Sequence, residues 1–254
     1  MRRALPWFGL LLLTISFVRL VRLPDPMHSA PPPIVRGDRP LVVVLDPGHG
    51  GADSGAMCGT ITEKDMTLDV ALRAKVLLGL KGYSTLLTRD SDRYVSLAER
   101  AATGNHVENS LFVSIHFNDG QRPTASGVET YYAGQPAGPV GFFSWLSFWQ
   151  RSAAASLAAK SESLARSIQA ALVDRTRALN RGIKSKQFYV IANVRHPAAL
   201  VEAGFITNKS DVTKLTTTEY RQQIATAISD GVQRHWEAVR RDESTFTLAT
   251  ARPE

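Results

Sequence analysis

The hydrophobic pattern of the chain alternates between short apolar runs and longer stretches with helical spacing. Residues 41–45 (LVVVL) form a continuous apolar run, which is typical of a strand buried on both faces of a sheet. Further strands are predicted at residues 84–88, 110–115, 127–132, 188–191 and 198–201. Helices are predicted at residues 62–80, 95–103, 157–172 and 218–236, where apolar side chains recur every three or four positions. This alternation predicts an α/β fold: a single three-layer domain, with a twisted, mostly parallel sheet and helices on both faces.

The two ends of the chain differ from this pattern. Residues 1–23 begin with Arg2 and Arg3 and continue into an apolar run with the length of a signal-peptide core, short for a full membrane span. They predict a signal peptide or an uncleaved N-terminal membrane anchor, and so a protein of the periplasm or cell envelope. Residues 24–40 contain six prolines and predict an extended tether. The domain is predicted to span residues 41–239, and residues 240–254 lack periodicity and are predicted to be disordered.

Composition and charge narrow the classes of function. Of 254 residues, 44% are hydrophobic and 21% are charged, which excludes a multi-span membrane protein. The formal net charge of +7 allows an anionic partner, but the lysines and arginines form no dense stripe, so nucleic acid is not expected. The single cysteine, Cys58, excludes an intramolecular disulfide. It is either a thiolate ligand for a metal or an ordinary loop residue.

Four polar residues stand where metal chemistry would need them. His49 follows the strand at residues 41–45, and His116 follows the strand at residues 110–115. In open α/β sheets the carboxyl ends of the strands form the ligand crevice, so both imidazoles are expected there. Glu63 begins a helix, where a carboxylate suits the helix dipole, but beside two histidines it completes a His₂Glu set typical of catalytic zinc. Glu202 ends another apolar strand and could move a proton from activated water to a leaving amine.

A family resemblance rests on five short segments in a fixed order. They are residues 46–51 (DPGHGG), 63–65 (EKD), 88–90 (TRD), 114–118 (SIHFN) and 201–208 (VEAGFITN). Together they resemble the zinc-dependent N-acetylmuramoyl-L-alanine amidases with an amidase-3 catalytic domain, over residues 41–236. The resemblance implies one Zn²⁺ ion held by His49, Glu63 and His116, with Glu202 as the catalytic glutamate. It implies peptidoglycan as substrate, cut at the amide between N-acetylmuramic acid and the L-alanine of the stem peptide.

Several points stay open at this stage. Asn118 and Arg89 are candidate substrate-binding residues, although hydrogen bonding within the fold explains them equally well. Residues 134–160, rich in Gly, Pro and aromatic side chains, predict an insertion that is either a packed apolar helix or a lid. Some family members carry a regulatory helix there, whose glutamate blocks the zinc until an activator protein acts. Residues 134–161 contain no Asp or Glu, so this chain departs from that mechanism.

Two alternative functions use the same residues. A zinc peptidase could cut within the stem peptide, and a wall-binding protein could carry a silent site. The presence of all four polar residues argues against the second alternative.

Overall fold

The protein is described by a computed structural model over residues 40–120, 122–134 and 148–250. Its main sheet has six strands in the order β4-β1-β5-β8-β6-β7, and β2 and β3 form a separate hairpin. The strands are β1 (Val42–Pro47), β2 (Met57–Cys58), β3 (Ile61–Thr62), β4 (Ser84–Leu87), β5 (Ser110–Asn118), β6 (Val128–Tyr132), β7 (Asn180–Ser185) and β8 (Ala198–Phe205). The helices are α1 (Glu63–Leu80), α2 (Leu97–Asn105), α3 (Phe148–Thr176), α4 (Tyr189–Ala192), α5 (Lys209–Leu215) and α6 (Thr218–Thr250).

Two hydrophobic layers enclose the sheet. Side chains of α1, α3 and α6 form the larger core with one face, which includes Val113 of β5 and Val201 of β8. Side chains of α2 and α4 form the smaller core with the opposite face, around Phe112 and Leu200. Successive side chains of a strand point to opposite faces, so β5 and β8 contribute to both cores. The predicted three-layer α/β fold with a mostly parallel sheet is confirmed.

Strand direction decides which ends of the strands meet. β4, β1, β5 and β8 are parallel, whereas β6 is antiparallel to β8 and β7 runs parallel to β6. The beginning of β6 therefore lies beside the carboxyl end of β8, and Glu129 is directly opposite Glu202. A residue near the start of β6 is thus brought to the crevice in which β1, β5 and β8 end.

In the region before β8, one prediction was wrong and one strand was missed. Residues 188–191 were predicted as a strand but lie at the short helix α4, whose Val190 and Ile191 pack into the smaller core. A short apolar run has no period that separates a strand from a helical turn. The strand β7 was not predicted, because its sequence NRGIKS is polar and contains a glycine.

Helix boundaries also correct the expected ends of the domain. α3 begins at Phe148, inside the predicted insertion at residues 134–160, while residues 135–147 lie outside the described part. α6 continues to Thr250, so residues 240–250 are not the expected disordered tail. No Gly or Pro interrupts these residues, and the first proline that could stop the helix is Pro253.

Of the predicted N-terminal segment (residues 1–23) and tether (residues 24–40), all but residue 40 lie outside the described residues. Among the helices that the structure does describe, none combines the length and apolar character that crossing a membrane requires.

Candidate metal and catalytic site

The loop that follows β1 carries His49, and the buried carboxylate of Asp46 holds the start of this loop in place. Asp46 is fully buried and accepts hydrogen bonds from the hydroxyls of Thr88 (2.6 Å) and Ser114 (2.7 Å). Arg100 donates to the same carboxylate at 2.7 Å. Ser114 lies in β5, Arg100 in α2 and Thr88 directly after β4, so Asp46 ties the start of the loop to three neighbouring segments.

Two buried arginines hold the carbonyl groups of the loop. Arg100 donates to the carbonyl oxygens of Pro47 and His49, both at 2.6 Å. Arg89 donates to the carbonyl oxygens of Pro47 (3.0 Å) and Gly48 (2.8 Å) and is only 1% exposed. Of the two alternatives left open for Arg89, the contacts agree with hydrogen bonding within the fold. Its guanidinium group lies under the loop and shapes the backbone instead.

Glu63 is the centre of the site. It is the first residue of α1, which begins there because the Thr62 side chain caps the helix. Its carboxylate accepts hydrogen bonds from the backbone N–H groups of Ala56 (2.9 Å) and Phe117 (3.0 Å). Its two oxygens also lie 3.1 Å from His49 Nε2 and 2.9 Å from His116 Nδ1.

The charge state of Glu63 follows from these contacts. Burial alone would raise the pKa of this carboxyl group, but the hydrogen bonds and charges of His116 and His49 outweigh burial and hold the pKa far below its usual range. Glu63 is therefore ionised at neutral pH and available as a ligand for a cation.

His49 is oriented by a residue that sequence reasoning missed. Asp53 Oδ2 lies 2.8 Å from His49 Nδ1, and this contact turns Nε2 toward Glu63. Carboxylates commonly fix metal-binding histidines in this way. Burial lowers the pKa of His49, but Glu63 and Asp53 together outweigh burial and raise it. In the sequence, the available signal for this contact was that Asp53 follows His49 by four residues, although many exposed aspartates lie at such a spacing from a histidine.

The ring of His116 fits only because residue 48 is a glycine. A Cβ atom at Gly48 would lie 2.2 Å from His116 Cε1, which no real contact permits. The His49 and His116 rings meet edge to face, with centroids 4.9 Å apart.

The donor set suits zinc. One donor atom from each of His49, Glu63 and His116 lies within 4.8 Å of the other two. Two imidazole nitrogens and one carboxylate oxygen are the ligands of a three-residue catalytic zinc site. Cys58 is exposed on β2 and is not part of this group.

Glu202 lies next to the donor set on the neighbouring strand. In the sheet register it pairs with His116 of β5 on one side and with Glu129 of β6 on the other. Its Oε2 is buried and has no hydrogen-bond partner among the described residues. Burial raises the pKa of Glu202 well above its usual value, and the charges of Glu63 and Glu129 raise it further. A buried carboxylate oxygen without a partner is costly, so the place of Oε2 beside the donor set indicates a chemical role.

Glu129 forms a second polar cluster that the sequence did not predict. Its carboxylate accepts hydrogen bonds from Asn118 Nδ2 (3.0 Å), the Tyr131 hydroxyl (2.7 Å) and Arg181 Nε (2.8 Å), and pairs with Lys184 Nζ. Burial opposes ionisation, but these four donors lower the pKa of Glu129 to about 2. Asn118 therefore lies between the donor set and this cluster. Its predicted contact with substrate stays a prediction.

A mostly parallel sheet with a His₂Glu donor set and a buried glutamate at the carboxyl ends of its strands is the arrangement of a metallohydrolase. Residues 43–234 match the family model Amidase_3, described as N-acetylmuramoyl-L-alanine amidase, and the chain belongs to this family. The amidase resemblance inferred from the five segments is confirmed. Enzymes of this family are cell-wall hydrolases, and the predicted amidase activity agrees with this membership.

Relatives support the same assignment. The germination-specific N-acetylmuramoyl-L-alanine amidase of Bacillus subtilis is 30% identical over 253 residues, 93% of this chain and 97% of the relative. The crystal structure of N-acetylmuramoyl-L-alanine amidase from Clostridium difficile 630 superposes with a TM-score of 0.66 at 31% identity, covering 78% of this chain and 97% of that one. The CwlD amidase from Clostridioides difficile, solved in complex with the GerS lipoprotein, has a TM-score of 0.66 at 25% identity, covering 78% and 98%.

Proposed function

We propose that this protein is a zinc-dependent peptidoglycan amidase of the cell envelope, with His49, Glu63 and His116 as the metal ligands and Glu202 as the general acid–base. The observation that carries the proposal is the convergence of three metal donors beside Glu202, whose buried Oε2 has no described hydrogen-bond partner. The proposed reaction adds water across the amide that joins N-acetylmuramic acid to L-alanine. It yields a lactyl carboxylate on the sugar and a free amine on the stem peptide.

Each residue has a distinct part in this proposal. A Zn²⁺ ion, when bound by His49, Glu63 and His116, supplies Lewis acidity that activates water and polarises the amide carbonyl. Glu202 takes the proton from the attacking water and delivers it to the nitrogen of L-alanine as the C–N bond breaks. Its raised pKa favours this role, because a carboxyl group exchanges protons best when its pKa lies near the working pH. Asp53 keeps His49 in the orientation that presents Nε2 to the donor set.

The central test replaces Glu202 with glutamine in the full-length protein. We expect Glu202→Gln to retain zinc but to lose about 10²–10⁴-fold in turnover of purified peptidoglycan, because the shape is kept while the proton acceptor is lost. The matched control is Glu162→Gln, which removes a carboxylate from an exposed pair with Arg166 on α3. Zinc content by atomic absorption and released peptides by mass spectrometry are the two measurements.

The same digest separates the competing functions. Intact stem peptides with a free L-alanine amine support the amidase, whereas shortened peptides would favour a peptidase that cuts within the stem. A zinc-loaded protein that releases nothing would favour a silent wall-binding protein. Near-normal turnover by Glu202→Gln would remove Glu202 from the mechanism.

Location and partners follow from this activity. Since the substrate lies outside the cytoplasm, we propose that residues 1–23 export the protein or anchor it to the membrane. An activator protein is a further proposed partner, since the related CwlD amidase was solved with the GerS lipoprotein. Asn118 is retained as a proposed substrate contact, because it lies half-buried at the end of β5 beside the Glu129 cluster. No nucleic-acid partner is proposed.

A further inference from the structure

The first residues of β7 lie at the same end of the sheet as the metal donors. β6 is antiparallel to β8, so β6 begins beside the carboxyl end of β8. β7 runs parallel to β6 and begins with Asn180 paired to Val128. Arg181 therefore lies at the end of the sheet where β5 and β8 finish. Lys184 pairs with Tyr131 and lies further toward the opposite end.

Three contacts fix the guanidinium group of Arg181 at this end. Nε donates a hydrogen bond to Glu129 Oε2 at 2.8 Å, and Glu129 is directly opposite Glu202 in the sheet register. Cζ lies 4.9 Å from the centre of the ring of Phe205, the last residue of β8. Nη1 lies 3.5 Å from the carbonyl oxygen of Ser126, in the loop that leads into β6. The group is thus held between the residue that faces Glu202 and the end of β8.

The guanidinium group of Arg181 also has donors left for a ligand. The side chain is 32% exposed, and Nη2 donates to no acceptor among the residues that the structure describes. The contact of Nη1 with Ser126 is long for a hydrogen bond. An arginine fork can bind a carboxylate through two parallel hydrogen bonds. The two terminal nitrogens can therefore take a carboxylate while Nε stays on Glu129.

The charge at this place favours an anion. Glu129 pairs with both Arg181 Nε and Lys184 Nζ, and within the described ranges neither cation pairs with a second carboxylate. Two cations share one carboxylate, which leaves one positive charge uncompensated. A partly exposed surplus cation at a crevice attracts anionic groups.

The direction of the substrate follows from the proposed amidase function, on which this inference rests. The metal donors hold the carbonyl side of the scissile amide, and Glu202 delivers a proton to its nitrogen. The line from His116 to Glu202 therefore runs from the sugar side to the peptide side, and in the sheet register it continues to Glu129. The next strand is β7, and since neighbouring strands are about 4.8 Å apart, β7 lies about 10 Å from β8. An extended peptide covers about 3.3–3.6 Å per residue, so this distance corresponds to about three residues.

We infer that Arg181 is a specificity-determining residue that binds a free carboxylate within the first three residues of the stem peptide. Its terminal nitrogens donate to the carboxylate, while Glu129 and the Phe205 ring keep the guanidinium group in place. A stem peptide bound in this way lies across β8, β6 and β7, with the nitrogen of L-alanine beside Glu202.

The test compares two synthetic substrates on the full-length zinc-loaded protein. One is an N-acetylmuramoyl tripeptide with free carboxylates, and the other is the same tripeptide with those carboxylates amidated. We expect the native enzyme to prefer the free form. We expect Arg181→Gln to raise KM for the free form about three- to tenfold with kcat nearly unchanged, and to remove the preference, because charge-assisted hydrogen bonds at a partly exposed site are lost. Arg181→Lys should be intermediate, because an ammonium group cannot donate both parallel hydrogen bonds.

Lys184→Met is the matched control. It also removes a cation from Glu129, but at a position further from the crevice. If Arg181 served only to stabilise Glu129, both variants would affect the two peptides alike. We expect Lys184→Met to keep the native preference for the free form, whereas Arg181→Gln loses it.

The outcomes separate this inference from the proposed function. If the native enzyme cleaves both peptides equally well, or if Arg181→Gln and Lys184→Met change the preference by the same factor, the inference is wrong and the amidase function stands. If Arg181→Gln does not fold, Arg181→Lys decides: a reduced preference supports the inference, and an unchanged preference overturns it. If the zinc-loaded enzyme cleaves neither peptide, nor peptidoglycan itself, the proposed function fails and the inference fails with it.

Discussion

Replacing Arg100 tests whether the buried support beneath the loop controls the metal site. The Arg100 side chain is 4% exposed and Asp46 is 0% exposed, with the charged groups 2.7 Å apart. Removing one partner of a buried ion pair costs about 3–5 kcal/mol, because the remaining charge loses its compensation. Arg100→Met also removes the hydrogen bonds to the carbonyl oxygens of Pro47 and His49. We therefore expect the free energy of unfolding of the metal-free protein to fall by about 3–5 kcal/mol.

A second effect should appear in metal binding. His49 has a left-handed backbone (φ 59°), which costs a non-glycine residue about 1–2 kcal/mol. Arg100 holds the His49 carbonyl oxygen in that conformation. Without this contact the backbone can relax and turn the imidazole away from Glu63. We expect zinc affinity to fall about 10- to 100-fold, the range for residues that orient metal ligands.

The measurements are urea unfolding of the metal-free protein and zinc competition with a chelator. Arg166→Met is the control, since its exposed pair with Glu162 contributes about 0.3–0.5 kcal/mol. Arg100→Lys should be intermediate, because one ammonium group cannot reach every acceptor that the guanidinium group serves. A fall of less than about 1 kcal/mol in the free energy of unfolding, together with unchanged zinc affinity, would refute the reasoning. A change of that size is no larger than the contribution of an exposed ion pair.

Two further predictions concern single positions. Gly48→Ala should lose zinc binding while its secondary structure stays nearly native, because the added Cβ would displace the His116 ring. The control, Gly79→Ala, has no atom within 4 Å of the added Cβ and should bind zinc normally. Equal zinc affinity of the two variants would contradict the steric argument. Burial, assisted by Lys160, lowers the pKa of His235 from 6.5 to about 4, so the folded state takes up its proton later than the unfolded state as the pH falls. Stability should therefore drop by about 3 kcal/mol between pH 6.5 and pH 4 on account of this residue, and unfolding of His235→Gln should show a correspondingly weaker pH dependence; identical pH profiles would show that His235 does not contribute.

The main parts of the fold and the site could be predicted because each rests on a local signal. The run at residues 41–45 marks a buried strand, and a histidine after such a strand is expected at the crevice. Thr62 caps α1 and thereby places Glu63 at the helix start. The pairing of β5 with β8 then brings His116 beside Glu202.

The remaining features depend on pairing between distant segments, which one sequence does not encode locally. Glu129 acquires its role only because β6 is antiparallel to β8, and the polar strand β7 has no alternating pattern. Asp53 is one of many aspartates in loops. Arg89 was a candidate for binding substrate or for hydrogen bonding within the fold, and only its burial shows that its donors are already used by the loop.

The two backbone N–H groups that hold Glu63 bear on the order in which the protein folds and acquires its metal. Ala56 and Phe117 belong to the loop before α1 and to β5, so the carboxylate joins these segments through the polypeptide itself. Small zinc-finger domains behave differently, because their chains stay unfolded until the ion binds. We therefore expect the chain to fold without metal, and, on the proposed zinc function, a chelator to yield a folded, inactive protein that zinc restores without refolding.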